Sequence, residues 1–374
     1  MLNEPFQLGA LTVPNRVLLS PLAGVSDVPF RRICQDFGAG LSYIEMLSAA
    51  GMAHRTRKTE ELVARHPAEP ILGAQITGPS PQVLARGISH LMDYQLPVDT
   101  LDLNMGCPVK KIVSRGCGSA LVRDPQLAGS MVRAAKEVVS IPVTAKIRIG
   151  FGKEHPTVGP VCTELARAGV EMLIIHGRAR EDDYSDPVRY ALIREGFDAV
   201  DAAAEGRKIW KIGNGNVFDV ASARQMVDET GCDGVLISRG SLGNPWIFRQ
   251  ILEDDETQPT VADWEETLLR HLTYHEEFYG DTLYAAIRFR KHLLWYLRGY
   301  PGAKQVKPAM SVLDSLGAMR EEIQRFTATL PEDLHRYPDA AERRRAAAAD
   351  PKFEMDRSLD RGVEYYETGE IEAG

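Results

Sequence analysis

The 374-residue chain has no CxxC pair, and its five cysteines (Cys34, Cys107, Cys117, Cys162, Cys232) are odd in number and scattered. That argues against a disulfide framework. With no Cys/His cluster at zinc-ligand spacing, no metal site is expected either. Hydrophobic runs of membrane-spanning length are missing, so no membrane association is expected. The opening MLNEPFQLGALTVPN has no basic start before an apolar core, and the expectation is a cytoplasmic protein without a signal peptide. No GxGxxG follows the first strand-like run, which removes a Rossmann reading. Positive charge is in deficit: the net charge is −8, which weighs against a nucleic-acid partner. The deficit is uneven, however. Residues 331–374 hold seven Lys/Arg against twelve Asp/Glu and carry −5 of it, leaving −3 for residues 1–330, where clustering could still make a basic face.

What is present is an alternation. Eight short apolar runs lie between residue 17 and about residue 240: VLLSP (17–21), LSYIEM (41–46), ILGAQI (71–76), DTLDLN (99–104), PVTAKIRI (142–149), EMLIIHG (171–177), KIWKIG (208–213) and DGVLIS (233–238). Stretches of helical period separate them, which is the pattern of a parallel sheet covered on both faces. Ser80-Pro81 and Asp124-Pro125 are helix starts, with a capping side chain followed by proline at the first helical position. Gly169 and Gly231 stand where helix C-caps belong. Eight such units fit a closed (β/α)8 TIM barrel of the α/β class better than an open sheet. After Pro259 no strand pattern returns. Segments 261–279, 281–299 and 316–330 read as amphipathic helices of a small all-helical domain. The expected organisation is a catalytic barrel over 1–255, a helical domain over 256–330 and a charged, flexible tail over 331–374.

Polar and glycine-rich residues cluster just after the strands, at the mouth where barrels of this kind keep their chemistry. The fourth run leads into Asn104-Met105-Gly106-Cys107-Pro108, with Lys110, Lys111 and Arg115 nearby. A cysteine is usually a small buried residue. Cys107, in a polar loop at a strand end, gains little from that role, and neighbouring cations favour its thiolate. Cys34, Cys162 and Cys232 sit in apolar contexts and read as core. Lys146 ends the fifth strand and His176-Gly177-Arg178 the sixth. Asn214-Gly215-Asn216 and Ser238-Arg239 follow the seventh and eighth, the common phosphate position of such barrels.

The 101–125 segment, LDLNMGCPVKKIVSRGCGSALVRDP, resembles the tRNA-dihydrouridine synthases. PLAGVSDVPFR (21–31), AQITG (74–78), AKIRIG (145–150), IIHGR (174–178), GNGNV (213–217), SRGSLGNPWIF from Ser238 and RFRKHLLWYL (288–297) follow in family order. The resemblance covers residues 1 to about 330 and is nearest to the bacterial B branch. It implies reduction of uridine to 5,6-dihydrouridine in the D-loop of tRNA. FMN would be the bound cofactor and NADPH (or NADH) the reductant. Cys107 is then the acid. Pro21, Leu22, Ala23, Gln75, Lys146 and His176 contact the flavin, and Asn214, Gly215, Asn216, Ser238 and Arg239 its phosphate. The family usually has Asp where Asn216 stands. Asn104, Arg148 and Arg178, polar groups the flavin does not need, hold the uracil, and Arg290, Lys291 and His292 contact the RNA. The rivals are another FMN barrel acting on a small molecule, of the dihydroorotate-dehydrogenase or ene-reductase kind, and a redox-inactive tRNA-binding protein.

Overall fold

The architecture follows from a period of two. The computed structural model describes residues 2–54, 57–94 and 98–336. Its strands are β1 (Phe6–Leu8), β2 (Leu11–Val13), β3 (Val17–Leu19), β4 (Ser42–Tyr43), β5 (Leu47–Ser48), β6 (Leu72–Thr77), β7 (Thr100–Met105), β8 (Val143–Arg148), β9 (Met172–His176), β10 (Trp210–Asn214) and β11 (Gly234–Ile237). Strands β3 to β11 form one parallel sheet in the order β3-β11-β10-β9-β8-β7-β6-β4, with β5 also on β6. The sheet closes on itself through backbone bonds from Gly40 N–H to the Val17 carbonyl and from Leu19 N–H to the Leu41 carbonyl, both 2.9 Å. All eight expected runs carry barrel strands, so the expected barrel is the observed fold.

Alternation sorts the side chains. Odd-numbered positions such as Leu101, Leu103, Ala145, Ile147, Leu173, Ile175 and Val235 face the surrounding helices and join the main core. Their even-numbered neighbours face the barrel axis, where Leu18, Met172, Ile174, Ile212 and Leu236, with Tyr43, fill the lower interior. The β1–β2 hairpin plugs this end with Phe6, Leu8 and Val13. The Trp210 indole N–H donates to the Gln7 carbonyl at 2.7 Å. This hairpin was not anticipated: its strands are three residues each, too short for a periodic signal. The second barrel strand is broken into β4 and β5. Glu45 sits in the break and accepts the Gly24 N–H at 2.6 Å.

The helix signals hold. Ser80 accepts the Val83 N–H, Asp124 accepts the Leu127 N–H, and Gly231 closes its helix at φ +68. Beyond the barrel stand helices Val261–Tyr279, Leu283–Tyr296, Ala303–Met310 and Leu316–Thr327. The third was not among the expected segments; it is short and carries Pro308 inside it. The helical region does not have a core of its own. Trp264, Leu268, Leu272, Phe289 and Leu293 belong to the same continuous core as Phe30, Ile33 and Phe37 of the first barrel helix, Val28–Asp36, and the residue just after it.

The start of the tail is a correction. Residues 331–336 are docked, because the Leu334 carbonyl accepts the Val261 N–H at 2.9 Å. Arg336, 3% exposed, donates to the carbonyls of Arg298, Trp295 and Gly243. Carbonyl partners hold this segment, together with Leu334 packed against the main core. The rest of the expected tail lies outside the described residues.

Candidate active site

The upper interior of the barrel is polar for the same reason that the lower interior is apolar. Register places Asn104 beside Lys146, Arg148 beside His176, and His176 beside Asn214. Asn104, Arg148, His176 and Asn214 are each the last inward position of their strands, and Lys146 is the inward position before Arg148. Sequence order thus becomes a ring of polar side chains around one cavity mouth.

Cys107 hangs on that ring. Its N–H donates to Asn104 Oδ1 at 2.9 Å, and its carbonyl accepts the Ser119 N–H at 3.0 Å. The thiol is half-buried, and burial pushes its pKa up, opposed by a backbone hydrogen bond at Val109 and by the charges of Arg148 and Lys146. The expected thiolate bias is therefore corrected: desolvation outweighs the cations. The cations that matter are Arg148 and Lys146, not Lys110, Lys111 and Arg115. A thiol held protonated suits an acid. Cys34, Cys162 and Cys232 are buried, as expected of core cysteines.

Around the mouth, Pro21, Leu22 and Ala23 are half-buried on the loop after β3, with the Leu22 N–H donating to Ser26 Oγ at 2.7 Å. Burial lowers Lys146 to about 8, reinforced by Arg148 and opposed by Asp102 and Cys107. His176 is held well below its ordinary value, by burial first and then by Arg148, Lys146, Arg178 and Arg239. Four cations thus converge on one neutral imidazole. A buried positive cluster stands inside a chain of net charge −8. Next to it, Gly215 adopts φ +123, and a Cβ there would lie 2.9 Å from His176 Cδ2. Asn216 is left-handed at φ +53, and its Oδ1 accepts from both Arg178 and Arg239 at 3.2 Å. Asn214 Nδ2 donates to the Leu236 carbonyl at 2.9 Å and to Ser238 Oγ at 3.1 Å. A cationic site lined by loops and small residues suits a phosphate.

Several expectations need revising. Arg148 and Arg178 are not spare polar groups. Arg148 donates to the carbonyls of Gly106 (3.0 Å) and Ala179 (2.7 Å), bracing the Cys107 loop. Arg178, 1% exposed, donates to the carbonyls of Tyr184 and Asp186 and to Asn216, bracing the phosphate-position loop. Asn104 and Gln75 are joined to each other, Nδ2 to Oε1 at 2.8 Å. The RNA-contact trio fails as a surface. His292 is fully buried, its ring 5.4 Å from Phe30 and 4.8 Å from His271. Arg290 is spent on the carbonyls of Val312 and Leu313. Lys291 points back at the barrel, donating to the Gly24 carbonyl. His292 is sealed in the core, while Arg290 and Lys291 are half-buried and held by carbonyls, and a helix sequence alone does not say which side is covered.

One group was missed altogether. Asp102, fully buried, accepts from Thr144 Oγ1 at 2.6 Å and from Gln75 Nε2 at 2.8 Å. The available signal was an acidic residue in an otherwise apolar strand, two positions before Asn104 and hence on the same inward face.

These features define a (β/α)8 barrel enzyme with a cationic mouth and a thiol whose pKa burial raises. The family profile described as "Dihydrouridine synthase (Dus)" matches residues 18–330. The chain therefore belongs to the dihydrouridine synthase family. It is 33% identical over 327 residues to tRNA-dihydrouridine synthase B of Pseudomonas aeruginosa, covering 86% of this chain and 96% of that one. It is 34% identical over 340 residues to the protein of that name from Xanthomonas campestris pv. campestris, covering 88% and 99%. Among solved structures, it resembles the 6-hydroxypseudooxynicotine amine oxidase of Pseudomonas geniculata N1 at TM-score 0.54 and 12% identity, over 90% of this chain and 68% of that one. Histamine dehydrogenase from Rhizobium sp. 4-9 is similar at TM-score 0.52 and 12% identity, over 91% and 67%. These likenesses speak for the fold. No helix among the described residues is long and apolar enough to cross a membrane.

Proposed function

We propose that this enzyme reduces uridine to 5,6-dihydrouridine in the D-loop of tRNA in the cytoplasm, with FMN resident and NADPH as reductant. The observation that carries the reading is Cys107: a thiol kept protonated by burial, at the rim of a mouth where four cations converge. Gln75, Lys146, His176 and the Pro21–Ala23 loop would hold the flavin ring. Asn214, Gly215, Asn216, Ser238 and Arg239 would hold its phosphate. When bound, FMN supplies the hydride for uracil C6. Cys107 then gives its proton to C5 from the other side of the base. Arg148 braces the loop that carries the thiol and, with Lys146, supplies positive charge that stabilises the thiolate left behind. His176, neutral, is available as a hydrogen-bonding group rather than a charge. Asn104, which accepts the Cys107 N–H, would meet the uracil edge.

The base must leave its stack to reach such a mouth. Recognition would rest on tRNA shape and backbone, with the helical region as a second jaw acting through surface other than Arg290 and His292. The test is spectroscopic. Purified protein should be yellow, and the flavin, once reduced by NADPH, should be reoxidised faster by unmodified tRNA than by orotate or an enone. Faster reoxidation by the small molecules would overturn the reading.

A further inference from the structure

We propose that Glu45 and Lys291 are positioning residues of the cofactor site, a clamp that fixes Gly24 from two sides and so sets the shape of the Pro21–Ala23 loop. The inference rests on the function proposed above, which gives that loop to the flavin ring but assigns nothing to either side chain.

The loop is a turn with one soft joint. Val25 N–H donates to the Leu22 carbonyl at 2.9 Å, which closes a turn over Leu22–Val25. Gly24 is its third residue, at φ +70, while Ala23 before it does not have a positive φ. That is the pattern of a type II turn, which needs glycine or asparagine at this position. Such a turn differs from a type I turn chiefly in the orientation of its central peptide, here the one joining Ala23 to Gly24. Around that peptide the chain is tied down. Leu22 N–H donates to Ser26 Oγ at 2.7 Å, Ser26 N–H to the Leu22 carbonyl at 2.9 Å, and Ser20 N–H to the Ile237 carbonyl at 2.8 Å. None of these bonds touches the central peptide itself.

Glu45, in the break between β4 and β5, holds that peptide. Its Oε2 accepts the Gly24 N–H at 2.6 Å. An ionised carboxylate only accepts, so it would repel the Ala23 carbonyl that a peptide flip would bring round. The peptide is trans, and the Ala23 carbonyl is therefore directed away from Glu45. Lys291 acts on the next peptide. Its ammonium donates to the Gly24 carbonyl from a helix 267 positions further along the chain. Glycine has more backbone freedom to lose than any other residue, and the two bonds fix the peptide planes on either side of it. Both side chains are costly where they stand: Glu45 is 4% exposed and Lys291 is half-buried. The Gly24 backbone is where their hydrogen bonds converge. Through Lys291, the helical region thus takes part in shaping a loop of the barrel mouth.

The experiment uses the full chain and two readouts. Hydrogen exchange by mass spectrometry follows peptides covering 20–27 and, separately, helix Leu283–Tyr296. FMN affinity of flavin-stripped protein is read by fluorescence quenching. Lys291→Met and Glu45→Met remove the bonding groups at similar size, whereas Lys291→Arg and Glu45→Gln keep a donor and an acceptor. Each Met variant should speed exchange in 20–27 and weaken FMN binding by about tenfold, the worth of one hydrogen bond to a charged group. Helix Leu283–Tyr296 should exchange as in wild type. Lys291→Arg and Glu45→Gln should recover most of the affinity. Because both bonds fix one residue, the double Met variant should lose less than the product of the two single losses. Unchanged FMN affinity in the Met variants overturns the inference and leaves the proposed function standing. Faster exchange spread over helix Leu283–Tyr296 does the same, because it marks a packing role. If wild type binds no FMN, the proposed function falls and the inference with it. Should one Met variant not fold, the other carries the test, since the two side chains act from different parts of the fold.

Discussion

The barrel mouth and the helical region each carry a run of cationic and histidine residues, and the two runs have opposite fates. In the barrel, Arg148 and His176 end their strands, Lys146 stands two positions before Arg148, and all three face inward at the same mouth. In helix Leu283–Tyr296, Arg290, Lys291 and His292 are consumed: one caps carbonyls, one reaches across to Gly24, and one is sealed among rings. The lesson is geometric. A strand has two faces, and closing the sheet decides which is inside. A helix offers a continuous circle of directions, and only its neighbours decide which of them meet solvent. Charge at a strand end is therefore a better guide to chemistry than charge on a helix.

The largest effect tests the mouth. Cys107→Ala should keep FMN and remain reducible by NADPH, yet form dihydrouridine about 10²–10⁴ times more slowly, the usual worth of a positioned acid. Single-turnover reoxidation by tRNA reads this directly. Cys34→Ala, buried in the core, should stay near wild type in the same assay. If both behave alike, the strand-end rule has failed here.

The next effect tests whether the helical region is a separate unit. Trp264 is fully buried and donates its indole N–H to the Tyr296 carbonyl at 2.8 Å. Trp264→Ala should cost about 3–5 kcal/mol. Because the core is continuous, barrel and helical region should unfold in one transition, lowered together. Two separable transitions in calorimetry would show two independent units.

A smaller effect is pH-dependent. His271, His275 and His292 are all buried, and burial lowers His271 to about 3, His275 to about 4 and His292 well below its ordinary value. Asp27 acts against this for His271 and His275. Above about 6.5 these imidazoles are neutral both folded and unfolded, and they add no pH dependence. Below it the unfolded chain takes up protons that the folded one refuses, so stability should fall progressively toward pH 4. His292→Phe should make that decline shallower by up to one proton. Urea midpoints at pH 7.5, 6.0 and 5.0 check it, and an unchanged slope would mean that His292 is protonated in the fold.

The smallest expected effect concerns Arg290. Arg290→Ala removes bonds to the Val312 and Leu313 carbonyls and should cost about 1 kcal/mol of stability. It should leave the salt dependence of tRNA binding unchanged. A slope flatter by about 0.7–0.9 would restore Arg290 as a phosphate contact.

The sequence by itself determined the barrel, because eight apolar runs between capped helices admit few other closures. It also determined which residues crowd the mouth, because position at a strand end is a one-dimensional property. The family motifs of 101–125 lie in that same class of information. Tertiary structure alone decided the rest. The hairpin plug is too short to announce itself, and the Asp102–Gln75–Asn104 chain joins residues 27 and 29 positions apart in sequence. The protonation of Cys107 went against its neighbours in sequence, because its pKa answers to burial and to Arg148 and Lys146, which arrive from another strand. The covered face of helix Leu283–Tyr296 was fixed only by docking against the barrel. Linear spacing sets which way a strand residue points, but desolvation and partners depend on what the rest of the chain brings alongside.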